Sequence, residues 1–326
     1  MQDFVIKELV NTDIETELEK IGFDIAYRAK ASVKFQYKTF KIFDLTLPQA
    51  NILKQTALSF GADCAVHREV LTSQIDKTDV IIGGSYSQIK KICEKIKQQP
   101  FSLKILAEKI LRELETKSQV TKLVGILNIT PNSFSDGGKY FNIQDAVEHY
   151  YKLLDDGANI IDIGAESTKP GAEIVSAEEQ IERLRPFFKE IKDFSCPISI
   201  DTRNAEVARF ALDNGVSIIN DVSGLNYDED MINVISKYNA GIILQHSTQN
   251  ADDKIVYKDV VEEVYLELRK KAQLAQDNGI KNIILDIGIG FGKSKNDNLE
   301  LLNRIEEFYS LNCPLMVGIS RKSSTE

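Results

Sequence analysis

The sequence has no apolar run that approaches the roughly 20 residues a membrane-spanning helix needs. Its first residues, MQDFVIKELVNTDIE, also lack the basic and apolar regions of a signal peptide. Both absences predict a chain that neither enters a membrane nor is exported. The cytoplasm is therefore the expected compartment.

Cysteine and histidine are scarce, with four and three residues respectively. The cysteines are scattered at Cys64, Cys93, Cys196 and Cys313 and form no Cys-x-x-Cys pair, which argues against a zinc site or a disulfide framework. No serine, cysteine or lysine nucleophile with a paired base stands out. Positive charge is also in deficit, since the net charge of −9 predicts no general attraction to nucleic acid. An anionic substrate would need a local group of cations.

The length of 326 residues suits a barrel with a smaller domain before it. Residues 1–117 mix strands and helices without a βα repeat, so we predict an α+β domain of unknown role. Alternation in Val33–Tyr37 predicts a strand, with Thr39–Leu45 as its antiparallel neighbour and Val80–Ile82 as a further strand. Helices are predicted over three segments: Pro48–Phe60, Ser85–Gln98 and Ser102–Glu115.

The polar segment Glu115–Lys122 links this domain to residues 118–326, where strands and helices alternate strictly. The predicted strands are Leu123–Asn128, Ile160–Ile163, Ile198–Ile200, Ile218–Asn220, Ile242–Gln245, Ile283–Asp286 and Leu315–Val317. The predicted helices are Ile143–Asp156, Ala177–Lys192, Ala205–Asn214, Glu229–Tyr238, Val260–Asn278 and Asn298–Tyr309. This alternation predicts either a parallel barrel or a doubly wound sheet.

A barrel is favoured because polar residues close nearly every strand and no G-x-G-x-x-G fingerprint follows the first. We therefore predict an α/β fold with a TIM-type (β/α)8 barrel, preceded by the small α+β domain. Seven strands are countable, and an eighth with its helices would need on the order of 50 further residues. The expected barrel is thus incomplete at its C-terminus.

The segment VGILNITPNSFSDGG, residues 124–138, passes from a buried strand into a polar loop, as α/β enzymes do where they present chemistry. In a barrel, Asn128, Asp201, Asn220 and Asp286 would share one face, near the basic pair Arg321 and Lys322. Buried carboxylates and amides are costly unless paired. We therefore expect a ligand with matching groups, such as a guanine-like or pterin ring. Nearby oxygens could hold a phosphate group through Mg²⁺.

Six motifs stand in order between residue 123 and the chain end: VGILNITPNSFSDGG, GAESTKPGA, ISIDT, INDVSG, ILDIGIGFGK and GISRKS. Together they resemble the successive motifs of the dihydropteroate synthase family. The resemblance implies a pterin-binding barrel that joins 6-hydroxymethyl-dihydropterin pyrophosphate to p-aminobenzoate, releasing pyrophosphate. It also implies Mg²⁺ as cofactor, a homodimer, a sulfonamide-sensitive site and an amino-terminal extension.

Roles for individual residues follow from the same resemblance. The catalytic residues would be Asn128, Asp201 and Lys322, and the pterin would be held by Asp201, Asn220, Asp286 and Lys322. Asn128 would also meet the metal. The p-aminobenzoate site and its loops would contain Phe134, Asp136, Thr168, Lys169, Pro170, Phe291 and Ser320. The loops Thr130–Phe141 and Ala165–Val175 are expected to close over the substrates.

The sequence also departs from the family pattern. Lys169 replaces a common arginine, so a point ammonium stands where a bidentate fork is usual. The strand-five motif, often M-H-M, reads Gln245-His246-Ser247. The family's late Arg-x-His-Asp motif is absent, so we expect this chain to be weakly active or inactive. Two alternatives remain open: a methyltetrahydrofolate-type pterin methyltransferase and a non-catalytic pterin-binding protein.

Overall fold

The structure is a computed structural model that describes residues 14–72, 74–114, 120–130, 143–166, 175–191, 193–247 and 256–319. The chain divides into two compact units, Met1–Gln119 and Val120–Glu326. Within the described ranges, no helix is both long and apolar enough to cross a membrane.

The first unit contains a three-stranded antiparallel sheet in the order β1-β3-β2. Its strands are β1 (Tyr37–Thr46), β2 (Asp63–Val66) and β3 (Lys77–Ser85). Its helices are α1 (Ile14–Lys20), α2 (Arg28–Ser32), α3 (Leu47–Ser59), α4 (Tyr86–Ile96) and α5 (Leu103–Leu114). Thr46 and Ser85 each begin a helix directly at the end of a strand through a capping box. Apolar side chains of α3, α4, α5 and β3 then form one core.

The predicted strand Val33–Tyr37 is wrong. Val33–Phe35 is a 3₁₀ turn that follows α2, and β1 begins only at Tyr37. The reason is the partner strand: β1 pairs with β3 from Tyr37 opposite Ser85 to Thr46 opposite Lys77. In the described part of the chain, the alternating residues before Tyr37 pair with no strand. The segment Thr39–Leu45, predicted as their antiparallel neighbour, belongs to β1 itself.

The second unit is a parallel seven-stranded sheet in the order β10-β9-β8-β7-β6-β5-β4, with helices between its strands. The strands are β4 (Val124–Asn128), β5 (Ile160–Gly164), β6 (Ile198–Asp201), β7 (Ile218–Asp221), β8 (Gly241–Gln245), β9 (Ile283–Asp286) and β10 (Leu315–Met316). The helices are α6 (Ile143–Asp155), α7 (Ala177–Glu190), α8 (Ala205–Asp213), α9 (Met231–Tyr238), α10 (Val260–Asp277) and α11 (Lys295–Asn303). The predicted strands and fold class are confirmed, and the sheet curls as a half-barrel. One predicted helix, Asn298–Tyr309, is divided into α11 and the 3₁₀ segment Ile305–Leu311.

The two faces of this sheet differ in chemistry. Side chains such as Leu127, Ile163, Ile200 and Leu244 pack into the apolar core, together with residues of α7, α8 and α10. Because successive strand residues point to opposite faces, the residues between them form the other, inner face. That inner face carries the polar strand ends and is where a site would be built.

Candidate active site

Three predicted residues lie in one register row across the inner face. Asn128 pairs with Gly164, Gly164 with Asp201, and Asp201 with Asn220. Asn220 in turn pairs with Ile243, two residues before Gln245. The row therefore places an amide on β4, a carboxyl on β6 and a second amide on β7, all at the carboxyl ends of the strands, where parallel barrels build their sites.

Asp286 lies one layer above this row, on the same face. It pairs with Gln245 on β8 and with Met316 on β10. Since Gln245 and Ile243 are two residues apart on one strand, Asp286 and Asn220 point to the same side. Asp286 is 5% exposed, and its Oδ1 accepts a hydrogen bond from the backbone N–H of Gly288 at 2.8 Å.

Asp162, in the layer below the row, fixes the orientation of Asn220. Its carboxyl accepts hydrogen bonds from the Ser199 hydroxyl and, at 2.9 Å, from Asn220 Nδ2. Burial raises the pKa of Asp162, although these two donors oppose the shift. With its amide nitrogen committed below, Asn220 presents Oδ1 as a buried oxygen that no described residue contacts by a hydrogen bond. Because Asn220 Nδ2 is bonded to Asp162, Oδ1 is the side-chain atom that can accept a hydrogen bond from a ligand's N–H group.

Asp201 stands in a strongly negative environment. Burial raises its pKa well above the usual value, and the charges of Asp162, Glu166 and Asp221 raise it further. Arg203 opposes the shift. Asp201 therefore keeps its proton to a higher pH than an ordinary carboxyl, and positive charge on a ligand would favour its ionised form.

Arg203 and Glu166 form an ion pair at the ends of β5 and β6. Arg203 Nη2 lies 3.0 Å from Glu166 Oε1, and its guanidinium stacks 4.5 Å from the centre of the Tyr227 ring. Glu166 also accepts from the Val175 backbone N–H at 3.1 Å and from Gln180 Nε2 at 3.3 Å. Glu166 thus ties the chain on both sides of a predicted loop to the sheet.

The glycine-rich segment after β9 is clamped by Lys293. Its ammonium donates to the carbonyl oxygens of His246, Gly288 and Phe291 at 3.3, 2.9 and 3.2 Å. At Gly288, where φ is +69°, a Cβ would lie only 1.9 Å from the His246 carbonyl oxygen, so only glycine fits. The segment therefore approaches the end of β8 closely and holds Phe291, which is half-buried, beside it.

Glu267 and Lys271 of α10 interact with each other and with His246, which directly follows β8. His246 Nε2 lies 3.2 Å from Glu267 Oε2, and Lys271 Nζ lies 2.8 Å from Glu267 Oε1. Burial alone would raise the pKa of Glu267, but the hydrogen bonds from His246 and Lys271 outweigh it and lower that pKa to about 2. Burial lowers the pKa of His246, so its imidazole is neutral and donates from Nε2.

Several predicted site residues lie outside the described residues, and their roles stay predictions. They are Phe134, Asp136, Thr168, Lys169, Pro170, Ser320 and Lys322. The two predicted loops over the substrates also fall mostly there.

The described residues contain no group of three or more His, Cys, Asp or Glu side chains that could hold a metal ion. One donor suits Mg²⁺ nonetheless: Asn128 is exposed, and its Oδ1 lies 3.3 Å from where a Cβ at Gly164 would stand. A side chain at Gly164 would crowd that oxygen. Mg²⁺ commonly takes one or two protein oxygens, with waters and substrate phosphates completing its shell, so Asn128 fits a shared metal site.

Residues 124–326 match the family model described as pterin binding enzyme. A dihydropteroate synthase from Clostridium beijerinckii is 48% identical over 206 residues, covering 62% of this chain and 75% of that protein. A bifunctional dihydropteroate synthase/dihydropteroate reductase from Helicobacter pylori is 33% identical over 328 residues, covering 98% and 86%. A crystal structure of dihydropteroate synthase from Clostridium difficile, in the presence of pteroic acid, superposes with a TM-score of 0.59 at 42% identity, covering 63% and 78%.

The second unit is thus the domain of a pterin-binding enzyme. Within that class, the chain belongs to the dihydropteroate synthase family. It spans only 36% of a longer relative, a probable bifunctional folylpolyglutamate synthase/dihydropteroate synthase from Haloferax volcanii that is 38% identical over 305 residues.

Sequence reasoning assigned no role to three residues that shape this site: Asp162, Glu166 and Lys293. A signal for Asp162 exists, because it stands two residues before the end of a strand and so shares a face with Gly164. Glu166 and Lys293 act through contacts between segments distant in sequence, which no local pattern encodes.

Proposed function

We propose that this chain is a dihydropteroate synthase. It would condense 6-hydroxymethyl-7,8-dihydropterin pyrophosphate with p-aminobenzoate to give 7,8-dihydropteroate and pyrophosphate. The observation that carries the proposal is the group of Asp201, Asn220 and Asp286 on the inner face, with Asp286 one layer above the other two. A 2-amino-4-oxo pteridine ring offers several N–H donors along one edge, and these three side chains offer oxygens on the same face of the sheet, from β6, β7 and β9.

The chemistry needs little from a nucleophile or a base. The bond between the pterin methylene carbon and the pyrophosphate oxygen breaks, and its electron pair leaves with pyrophosphate. The amine nitrogen of p-aminobenzoate then bonds to the same carbon and releases one proton to solvent. Positive charge on the methylene would be stabilised electrostatically by Asp201 in its ionised form, which that charge itself favours.

Asn128 would hold Mg²⁺ through its side-chain oxygen. When bound, the metal would neutralise charge on the departing pyrophosphate. Phe291 would pack beside the aromatic amine, and Lys322, Ser320, Thr168, Lys169 and Pro170 would complete the site as the family resemblance implies. Phe134 and Asp136 would belong to its first loop.

The test is formation of dihydropteroate from the two substrates by the full chain, with Asp286→Asn beside it. Asp286→Asn removes the charge but keeps the size, and should lower pterin affinity about tenfold or more through loss of a charge-assisted hydrogen bond. Exposed Asp277→Asn is the matched control. The same assay is repeated with the chain joined to a C-terminal segment that carries the family's Arg-x-His-Asp motif. Pterin binding without turnover in both forms would favour the non-catalytic alternative, and no pterin binding would refute the proposal.

A second candidate activity is reduction of the dihydropteroate product. The Helicobacter relative, whose name includes dihydropteroate reductase, matches 98% of this chain and so includes the first unit, outside residues 124–326. Reduction adds a hydride and a proton across a ring C=N bond, so it needs a nicotinamide or flavin as electron donor. Dihydropteroate-dependent oxidation of NADPH, with and without added flavin, tests it.

The assembly and compartment remain proposals of the same kind. We propose a cytoplasmic homodimer, on the family resemblance and on four cysteines that are all free. Light scattering on the purified full chain tests the dimer. Sulfonamides should compete with p-aminobenzoate for the same site.

A further inference from the structure

Two buried polar atoms of the inner face have no hydrogen-bond partner among the described residues. They are Asn220 Oδ1, already part of the ring site, and Gln245 Nε2. Gln245 is 3% exposed, so water does not satisfy its amide. Buried donors are paired in most native structures, and an unpaired one calls for an explanation.

The position of Gln245 supplies that explanation. It ends β8 in register with Asp286 on β9, so both side chains lie on the inner face, on strands about 4.8 Å apart. Asp286 offers an acceptor to a ligand's N–H group, whereas Gln245 offers a donor. An acceptor and a donor side by side match a ring edge on which an N–H lies next to a carbonyl.

The backbone at Gln245 is also held in place. Its carbonyl oxygen accepts from Lys271 Nζ at 3.2 Å. On the other side, a Cβ at Gly224 would come within 2.4 Å of that carbonyl oxygen, so the segment after β7 closes directly on it. The amide is therefore presented from a fixed strand end rather than from a mobile loop, which favours a precise contact.

We propose that Gln245 is a specificity-determining residue that donates a hydrogen bond from Nε2 to the ring carbonyl oxygen of the pterin, beside the N–H that Asp286 accepts. The inference rests on the proposed function, because it concerns the same substrate. Gln245 departs from the family motif, which often has methionine here, and a thioether donates no hydrogen bond.

Gln245→Met tests the proposal, because methionine keeps the length and flexibility of the side chain and removes the donor. Exposed Gln273→Met is the matched control. Calorimetry on the full chain would compare a 6-hydroxymethylpterin ligand with its 2,4-diamino counterpart, in which an amino group replaces the ring carbonyl.

The unchanged protein should prefer the carbonyl-bearing ligand. Gln245→Met should lose about tenfold in affinity for it, or about 1.4 kcal/mol, and nothing for the diamino ligand, so that the preference collapses. The Michaelis constant for p-aminobenzoate should stay unchanged. Without ligand, Gln245→Met should melt no lower than the unchanged protein, because the variant removes a buried donor that has no partner among the described residues.

Two results would overturn the inference. One is an unchanged preference between the ligands in Gln245→Met. The other is a lower melting temperature with equal affinity losses for both ligands, which would give Gln245 a structural role only. If the unchanged protein binds neither ligand, the proposed function itself fails, and that outcome is distinct from both.

Discussion

Replacing Lys293 by methionine should loosen the glycine-rich segment that follows β9. The ammonium donates to three carbonyl oxygens, those of His246, Gly288 and Phe291. A hydrogen bond to a charged group contributes about 1.5–3 kcal/mol, but partly buried carbonyls regain some water when the ammonium is removed. We therefore expect the free energy of unfolding of this unit to fall by about 2–4 kcal/mol in total.

For a unit of this size, each kcal/mol lowers the melting temperature by about 2–4 °C, so Lys293→Met should melt about 5–15 °C lower. Pterin affinity should fall as well, since the segment adjoins Asp286. Differential scanning calorimetry measures the transition of the second unit in the full chain. Exposed Lys281→Met serves as control. A Lys293→Met protein that melts within 2 °C of this control, roughly the effect of 1 kcal/mol or less, and keeps full pterin affinity would refute the reasoning.

Three further perturbations probe the inner face and the α10 residue that supports β8. Because burial and neighbouring carboxyls raise the pKa of Asp201 in the folded protein, its stabilising effect is complete below its unfolded pKa of about 4 and lost as pH rises through the folded value. Asp201→Asn should thus flatten the decline of urea-measured stability above about pH 4, and an unchanged slope contradicts this. Glu267, with its pKa lowered to about 2, stabilises the fold above about pH 4.3 and stops doing so as pH falls through 2. Glu267→Gln should therefore melt lower at pH 7 but not near pH 2. Asn220→Leu also removes a hydrogen-bond donor from Asp162, so it should lower stability by about 1–3 kcal/mol and pterin affinity at least tenfold. If calorimetry shows unchanged affinity, Asn220 is not part of the ring site.

The strands of the second unit could be predicted closely because each is a short apolar run between well-marked helices. β9, for example, has the predicted bounds Ile283–Asp286. The first unit was harder. β2, Asp63–Val66, was not predicted: it has only four residues and carries a polar start. It is a strand because β3 offers it an antiparallel partner, with Ala65 opposite Ile81, and pairing of that kind leaves no local pattern.

For the site, the sequence predicts which residues end the strands but not how the strands are staggered. Asn128, Asp201 and Asn220 share one row, whereas Asp286 stands a layer higher, and that offset follows only from the observed register. The sequence also does not show whether a buried polar group will find a hydrogen-bond partner. In the sequence, Gln245 is only a departure from a motif, whereas the lack of a partner for its Nε2 among the described residues follows from the fold.

Three polar side chains of the inner face lower the stability of the protein, and a bound pterin ring would remove this destabilisation. Among the described residues, no group pairs with the buried Oδ1 of Asn220 or the buried Nε2 of Gln245, and neighbouring carboxyls raise the pKa of Asp201. Each lowers the stability of the empty protein, and Asp162 prevents Asn220 from turning to satisfy itself elsewhere. A ligand that pairs these groups meets a site that needs no rearrangement, so less of its binding energy is lost to ordering side chains. Saturation at a hundred times the dissociation constant would then stabilise the fold by about 2.7 kcal/mol, and only in the unit that holds the site. A melting transition of the first unit that rose by the same amount would mean that the ligand is held elsewhere.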